Sequence, residues 1–277
     1  MSLPPSGVAA GALAGTLAAA RAAGRAALIG YLPAGYPTAA GASAAMRAMV
    51  ESGVDVIEVG LPYSDPLMDG PTIQAAAEAA LAGGTTTADV LHTVGEVAAT
   101  GAPAVVMSYW NPIERYGVER FAAGLVAAGG AGAITPDLTP DEAGRWLAAA
   151  RGHDLDTVFL VAPSSTDARI AYTAEHCRGF VYAASTMGVT GARSSVSSAA
   201  RTLVARVRQA SDLPVCVGLG VSSGAQAAEV AAFADGVIVG SAFVRLLLDA
   251  PTPAAGVAAV AGLAAELAAG VRTAVRA

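Results

Sequence analysis

Residues 54–60 read VDVIEVG, a short run rich in β-branched side chains that ends on a glycine. Such runs are typical of strands that are buried on both faces of a parallel sheet. Similar runs recur along the chain, and longer alanine-rich stretches of helical composition separate them. The eight runs are residues 27–31, 54–60, 104–108, 132–135, 157–162, 179–183, 214–218 and 236–240.

The number and spacing of these runs predict the fold. Gaps of roughly 20 to 45 residues leave room for one helix in each crossover between parallel strands. Eight strand–helix units in 277 residues favour a closed barrel over an open doubly wound sheet. No linker-like stretch of Pro, Ser and Gly interrupts the series. We therefore predict an α/β protein, a single (β/α)8 TIM barrel with an N-terminal helix, and one domain over residues 1–277.

Composition and charge exclude several classes of protein. With 54% hydrophobic and 14% charged residues, the chain can bury a large core, which argues against a disordered protein. A formal net charge of -6 without a basic cluster leaves no surface suited to nucleic acid. The three histidines and two cysteines fall in no metal-binding or disulfide spacing, so no metal site is predicted.

The opening of the chain bears on its location. It is alanine-rich like a secretory signal, but Arg21 and Arg25 follow the apolar stretch instead of preceding it. A spanning helix would need about 18 strongly apolar residues free of charge, Gly and Pro, and we find no such run. We expect a cytoplasmic protein without membrane contact.

Three carboxylates crowd the segment EVGLPYSDPLMDGPTIQ at residues 58–74. Active sites of such barrels lie where the strands end, so this segment is a candidate site. Glu58 lies inside an apolar run, where its carboxyl group either faces the barrel mouth or is buried at considerable cost. A raised pKa of Glu58 would suit a general acid. Alternatively, Glu58 makes a structural hydrogen bond, and Asp65 and Asp69 cap a helix that begins near Thr72.

Glycines follow the last two runs, in Gly218-Leu-Gly220 and in Gly240-Ser241. Glycines let backbone amides approach a phosphate, and a helix that begins at Ser241 would turn its positive end toward that phosphate. The loops after the last two strands are the usual phosphate site of such barrels. The simpler alternative is that the glycines only form tight turns. Their occurrence after two neighbouring strands favours a phosphate site.

The segment VDVIEVGLPYSDPLMDGPTIQ at residues 54–74 resembles the signature of the tryptophan synthase alpha subunit family. The resemblance covers nearly the whole barrel. It continues in GYLPAGYPT at 30–38, MSYWNP at 107–112, ITPDLTP at 134–140 and GVTGAR at 188–193. It implies retro-aldol cleavage of indole-3-glycerol phosphate into indole and glyceraldehyde 3-phosphate by acid–base catalysis without a metal.

The resemblance implies roles for the matching positions. Glu58 takes the place of the catalytic glutamate, and Asp69 that of the second catalytic acid. Tyr182 matches a tyrosine at the indole pocket, and Tyr31 stands at an aromatic wall of that pocket where relatives often carry Phe. Thr190 matches the threonine of a mobile loop that closes over the substrate.

The resemblance also implies a phosphate site and a partner. The phosphate site would be formed largely by main-chain amides of Gly191, Gly220, Gly240 and Ser241. Leu219 stands between Gly218 and Gly220, where many relatives have Phe. Alpha subunits of this family pass indole to a beta subunit that carries pyridoxal phosphate, in an alpha2-beta2 heterotetramer. This chain itself is expected to hold no cofactor.

The loops that contain ITPDLTP and SYWNP are the expected docking surfaces for the beta subunit. An ordinary rigid loop is the alternative for the first of them, because Pro136 and Pro140 stiffen a connection for purely structural reasons.

Three other functions compete with the alpha-subunit interpretation. A free-standing indole-3-glycerol phosphate lyase would turn over without a partner. A catalytically silent subunit that only activates a beta chain is disfavoured by the intact Glu58 and Asp69. The third is another phosphate-binding barrel, such as an isomerase or an indole-forming synthase of the same pathway. The synthase would carry a catalytic lysine at a strand tip, and the chain contains no lysine. The missing lysine also excludes Schiff-base aldolase chemistry.

Overall fold

The computed structural model describes residues 11–185, 193–218 and 220–275, in which strands and helices alternate. The strands are β1 (Ala27–Pro33), β2 (Val56–Gly60), β3 (Ala104–Met107), β4 (Gly132–Ile134), β5 (Asp156–Val158), β6 (Leu160–Val161), β7 (Val181–Ala184), β8 (Val215–Gly218) and β9 (Gly236–Val239). The helices are α1 (Ala12–Ala22), α2 (Ala39–Glu51), α3 (Pro71–Ala82), α4 (Thr87–Ala98), α5 (Trp110–Tyr116), α6 (Val118–Ala127), α7 (Gly144–Gly152), α8 (Asp167–His176), α9 (Arg193–Ala210), α10 (Gly224–Ala231), α11 (Ser241–Asp249) and α12 (Pro253–Thr273).

The strands form one sheet in the order β5-β4-β3-β2-β1-β9-β8-β7-β6, and every neighbouring pair is parallel. Only Phe159 separates β5 from β6, and the two strands pair with β4 and β7 respectively. β5 and β6 therefore together occupy one strand position of the barrel, and the sheet closes on itself with eight strand positions. The predicted (β/α)8 barrel is confirmed.

The predicted runs differ from their strands by one or two residues at their ends or by a division, and two of these differences have a clear structural reason. Run 157–162 is divided because the chain changes its pairing partner at Phe159. The amide of Thr135 donates to the carbonyl of Val158 at 3.3 Å on one side, and the amide of Tyr182 donates to the carbonyl of Phe159 at 3.2 Å on the other. Run 179–183 begins two residues before its strand, because Gly179 has a φ of 85° and lies in the preceding turn.

The predicted N-terminal helix is α1, and it closes the amino-terminal end of the barrel. Leu13 and Leu17 are buried in the same apolar cluster as Ile29 and Phe180 of the barrel interior. A Cβ atom on Gly179, just before β7, would lie 3.0 Å from Leu13 Cδ1. The interior below the carboxyl ends of the strands is thus filled with side chains.

An ion pair joins the segments that lead into β1 and β2. The guanidinium group of Arg25 donates to both carboxylate oxygens of Asp55, at 2.6 and 2.7 Å. Asp55 also accepts a hydrogen bond of 2.8 Å from the amide of Leu28. The two side chains are only 20% and 15% exposed, so this bidentate pair is well shielded from water and aligns the two strands.

Helix α12 is the one helix of the described chain that is long and apolar enough to cross a membrane, by length and composition alone. One of its faces is buried, including Val260, Ala264 and Leu267. It packs against α2, α10 and α11, and a Cβ atom on Gly270 would lie 2.1 Å from the carbonyl oxygen of Gly224. Such close packing against neighbouring helices identifies α12 as a helix of the outer layer of the barrel.

Candidate active site

A cavity of about 310 Å³ lies at the carboxyl ends of the barrel strands. Most of its lining is apolar, and two carboxyl groups, Glu58 and Asp69, reach it. The lining residues are Tyr31, Glu58, Leu61, Met68, Asp69, Gly70, Ile73, Met107, Ser108, Tyr109, Pro136, Leu160, Tyr182, Ala184, Ser185, Gly218, Gly220, Ile238, Gly240 and Ser241. An apolar cavity with a few convergent polar groups is the usual form of a site for a small molecule.

Glu58 lies in the middle of β2 and is only 1% exposed. Burial raises the pKa of Glu58 to about 8, because the apolar surroundings penalise the charged carboxylate. Its Oε1 atom has no hydrogen-bond partner within the described part of the chain, so no structural hydrogen bond is found at this oxygen. Glu58 is thus a neutral carboxylic acid near pH 7 that faces a cavity, as a proton donor requires.

Asp69 lies in the loop between β2 and α3. Partial burial raises the pKa of Asp69, and a hydrogen bond from the Tyr109 side chain acts in the opposite direction. The side-chain amide of Gln74, in the first turns of α3, donates to the backbone carbonyl of Asp69 at 2.7 Å. The structure therefore brings the two predicted catalytic acids to one cavity, from a strand and from the loop that follows it.

The side chains of the two predicted pocket tyrosines each lie over a glycine of the neighbouring strand. A Cβ atom on Gly60 would lie 2.5 Å from the hydroxyl oxygen of Tyr31, and one on Gly218 would lie 2.5 Å from that of Tyr182. Only glycine leaves room for the rings at these positions. Burial raises the pKa of both tyrosines, so both stay neutral, and their rings form part of the cavity wall.

Three of the four predicted phosphate residues line the cavity, namely Gly220, Gly240 and Ser241. Gly220 has a φ of 69°, a left-handed conformation that favours glycine. Helix α11 begins at Ser241, as predicted, and its first amides are available at the cavity. The fourth residue, Gly191, lies outside the described residues, as do Thr190 and Leu219.

The alternative capping role of the aspartates is wrong. Helix α3 begins at Pro71 with Gly70 at its N-cap position, and no side chain caps it. Asp65 instead accepts a hydrogen bond of 2.5 Å from the hydroxyl group of Ser64. Proline is favoured at the first helical position, because its fixed φ suits a helix and its nitrogen has no proton that needs a partner.

The segments predicted as docking surfaces contact each other. The amide of Trp110 donates to Asp137 Oδ1 at 2.9 Å, which joins the loop after β3 to the loop after β4. Beside them, the loop after β2 exposes two large apolar side chains, Leu67 at 82% and Met68 at 57%. These three loops border the same face of the barrel.

Several lining residues were not predicted from the sequence. Met107 and Leu160 occupy inward-facing positions near strand ends, and strict alternation along each strand could have identified them. Tyr109 appeared in the MSYWNP motif but was given no role at the site. In the structure its hydroxyl group is next to Asp69. Among the described residues, no three His, Cys, Asp or Glu side chains lie close enough to hold a metal ion.

The fold and the site define an enzyme of the (β/α)8-barrel class, with two acidic side chains at the carboxyl ends of its strands. The profile of the family described as "Tryptophan synthase alpha chain" matches residues 17–272. The tryptophan synthase alpha chain of Salinispora arenicola is 65% identical over 246 residues, which are 89% of this chain and 92% of the relative. That of Nocardia farcinica is 63% identical over 247 residues, or 89% and 91% of the two chains.

Solved structures agree with these relatives. A structure of tryptophan synthase from Mycobacterium tuberculosis has a TM-score of 0.88 at 60% identity and covers 94% of this chain and 98% of that chain. The alpha subunit from Legionella pneumophila has a TM-score of 0.84 at 32% identity, with 94% and 97% covered. The chain belongs to the tryptophan synthase alpha chain family. It is therefore a lyase of tryptophan biosynthesis, and its family implies a beta-subunit partner.

Proposed function

We propose that Glu58 and Asp69 are the acid–base pair with which this chain cleaves indole-3-glycerol phosphate into indole and D-glyceraldehyde 3-phosphate. The observation that carries the proposal is the convergence of a buried acid without a charged partner and a half-buried aspartate on one apolar cavity. The reaction itself is the alpha reaction of the family.

The bond to be broken joins the indole ring to the glyceryl chain, and it breaks only after the ring has accepted a proton at C3. Glu58 supplies that proton, because its pKa of about 8 keeps it protonated at neutral pH. As the carbon–carbon bond breaks, the glyceryl hydroxyl group loses its proton to the resulting Glu58 carboxylate. A pKa close to the working pH suits a group that gives and takes a proton in one cycle.

Protonation at C3 leaves a positive charge on the ring nitrogen, and Asp69 stabilises it. The hydrogen bond from Tyr109 helps to keep the Asp69 carboxylate ionised despite its partial burial. An anion held in a low-dielectric cavity interacts strongly with a charge that develops beside it. Asp69 thus binds the indole N–H group and lowers the energy of the protonated intermediate.

Binding of the rest of the substrate is divided between two regions. The indole ring lies between the apolar walls, to which Tyr31 and Tyr182 contribute. The phosphate group lies at the amino-terminal end of α11, where the amides of Gly220, Gly240 and Ser241 can donate to it. By resemblance, Gly191 completes the phosphate site, and Thr190 closes over the bound substrate.

The chain acts as one cytoplasmic domain, residues 1–277, in an alpha2-beta2 heterotetramer. The beta subunit receives the indole and carries the pyridoxal phosphate, so no cofactor is needed in this chain. The exposed Leu67 and Met68, beside the joined loops of Trp110 and Asp137, provide an apolar surface for that partner next to the cavity mouth.

Indole release from indole-3-glycerol phosphate tests the proposal, measured for the purified chain alone and with a tryptophan synthase beta subunit. We expect slow release that the beta subunit accelerates, and near-complete loss in Glu58→Gln, of about 10²-fold or more. Glu78→Gln removes an exposed carboxylate of α3 and is the matched control, with unchanged turnover. Ordinary turnover by Glu58→Gln would disprove the catalytic role. Fast release without the partner would instead identify a free-standing lyase.

A further inference from the structure

The hydroxyl group of Tyr109 contacts two consecutive residues of the loop that carries Asp69. Tyr109 lies just beyond the end of β3 and is only 5% exposed. Its hydroxyl oxygen accepts a hydrogen bond of 2.9 Å from the amide of Met68. A phenol has a single proton to donate, and the neighbouring Asp69 carboxylate, whose pKa the Tyr109 side chain lowers, is the acceptor available to it.

We propose that Tyr109 is a positioning residue for Asp69, which it holds in place and in the ionised form for contact with the substrate. The inference rests on the proposed function of Asp69 and adds a residue to it. One hydroxyl group performs two tasks, since it fixes the backbone before Asp69 as an acceptor and orients the carboxylate as a donor.

Few other contacts hold this loop. Leu67 and Met68 have exposed side chains, so packing of apolar groups does not fix the backbone at this point. On the helix side, Gln74 holds the carbonyl group of Asp69. The bond between Met68 and Tyr109 is the corresponding anchor on the side that precedes Asp69.

The ring of Tyr109 is itself held by a neighbour. The rings of Tyr63 and Tyr109 have centroids 5.4 Å apart, and the Tyr63 hydroxyl group accepts a hydrogen bond of 2.9 Å from the side chain of Asn111. Tyr63 therefore supports the ring of Tyr109 but does not line the cavity, and it offers a matched control. Removal of either hydroxyl group retains both rings, whose planes are tilted by 36° relative to each other.

The charged and titratable groups around Asp69 allow a specific pH test. Tyr31 on β1 and Tyr109 after β3 face the carboxylate, and Glu58 on β2 lies beside Tyr31. Burial raises the pKa of both tyrosines, and Glu58 is protonated below a pKa of about 8. In mildly acidic solution all three neighbours are neutral, and the contact from α3 is made by the uncharged Gln74. The Tyr109 hydrogen bond then remains as the contact that favours ionised Asp69.

The experiment compares Tyr109→Phe with Tyr63→Phe in the full-length chain. Steady-state indole release is measured from pH 5 to pH 9, and thermal unfolding is measured on the same samples. We expect Tyr109→Phe to lower kcat about tenfold with KM changed less than about threefold, as for the loss of one charge-assisted hydrogen bond. Because the lost bond held the pKa of Asp69 down, the acidic limb of the profile moves to higher pH, and the basic limb set by Glu58 stays.

Tyr63→Phe is expected to leave kcat and both limbs of the pH–rate profile unchanged. The inference fails if Tyr109→Phe has the parental acidic limb, or if Tyr63→Phe shifts that limb equally, since a general loosening of the loop would then explain both. Glu58→Gln separates this failure from failure of the proposed function. An inactive Glu58→Gln beside a fully active Tyr109→Phe overturns only the positioning role, whereas an active Glu58→Gln overturns the proposed acid–base pair itself.

Discussion

Tyr31 and Glu58 are register partners on the adjacent parallel strands β1 and β2, and both line the cavity. The hydroxyl end of Tyr31 reaches across to Gly60, the next position of β2 on the same side as Glu58. The ring therefore covers β2 directly above the acid. We expect this ring to contribute to the burial that raises the pKa of Glu58 to about 8.

The cover can be tested through the glycine beneath it. In Gly60→Ala, the new methyl group would lie 2.5 Å from the Tyr31 hydroxyl oxygen, so the ring must move. Water then reaches Glu58 and its pKa falls. We expect the basic limb of the pH–rate profile to move to lower pH, with kcat at pH 8 reduced about threefold or more.

The control for this prediction is Gly95→Ala in α4, where the nearest atom would lie 3.7 Å from the added Cβ. It is expected to keep the profile and to stabilise the helix by roughly 0.5–1 kcal/mol. An unchanged basic limb in Gly60→Ala would show that Tyr31 does not control the hydration of Glu58.

Stability should depend on pH through the same acid. The pKa of Glu58 is about 8 in the folded protein and about 4.5 in an unfolded chain. Between these values the unfolded chain releases a proton that the folded protein keeps, so the stability of the folded state falls as pH rises. Glu58→Gln has no such proton. Its stability relative to the parent should increase by roughly 2–4 kcal/mol from pH 5 to pH 8 in urea titrations.

Glu78→Gln again serves for comparison, since this side chain is exposed on α3, and the stability of Glu58→Gln is measured beside it at each pH. If the stability gained by Glu58→Gln is the same at both pH values, Glu58 is not a buried acid with a raised pKa.

Asp69→Asn preserves the size of the side chain but removes its charge. We expect kcat to fall about 10²-fold with little change in KM, because the anion acts on a charge that appears during the reaction. Asp65→Asn, four residues earlier in the same loop, changes an exposed carboxylate whose partner is Ser64. With the chain alone, that variant should turn over within about threefold of the parent. Equal losses in both variants would assign the effect to the loop and not to Asp69.

The ion pair between Arg25 and Asp55 should contribute to stability. Asp55→Asn leaves a largely shielded guanidinium group without its carboxylate, and we expect a loss of about 2–3 kcal/mol in urea denaturation. Glu114→Gln breaks the exposed pair with Arg145, whose side chains are 48% and 68% exposed, and should cost less than about 1 kcal/mol. Similar losses in the two variants would contradict the importance of burial.

Local sequence was sufficient to predict the barrel and to place Glu58 and Asp69 near the carboxyl ends of its strands. The hydrophobic run around Glu58 specifies a strand buried on both faces, and parallel strands all end at the same face, so the position of the site follows from the fold. The helix at Ser241 could be predicted because glycine precedes a stretch of helical composition. In these cases neighbouring residues alone determine the structure.

Features that depend on distant residues could not be predicted in this way. The division at Phe159 arises from a change of pairing partner, which leaves no mark on a continuous apolar run. Aspartate is a common capping residue before a helix, so Asp65 could be expected to cap α3. The helix instead begins at Pro71 with Gly70 at its N-cap position. The contact between Tyr109 and Met68 joins residues 41 positions apart and forms only when β2 and β3 lie side by side.

Helix α1 fills the amino-terminal end of the barrel with Leu13 and Leu17. Within the described part of the chain, the cavity is therefore closed at that end. In the part of the chain that the structure describes, the cavity opens at the opposite end of the barrel, where the strands end. The rate at which products leave through this opening then limits how soon new substrate can bind. The beta subunit that the family implies, if it binds over this opening, would meet the aromatic product before that product diffuses into bulk water.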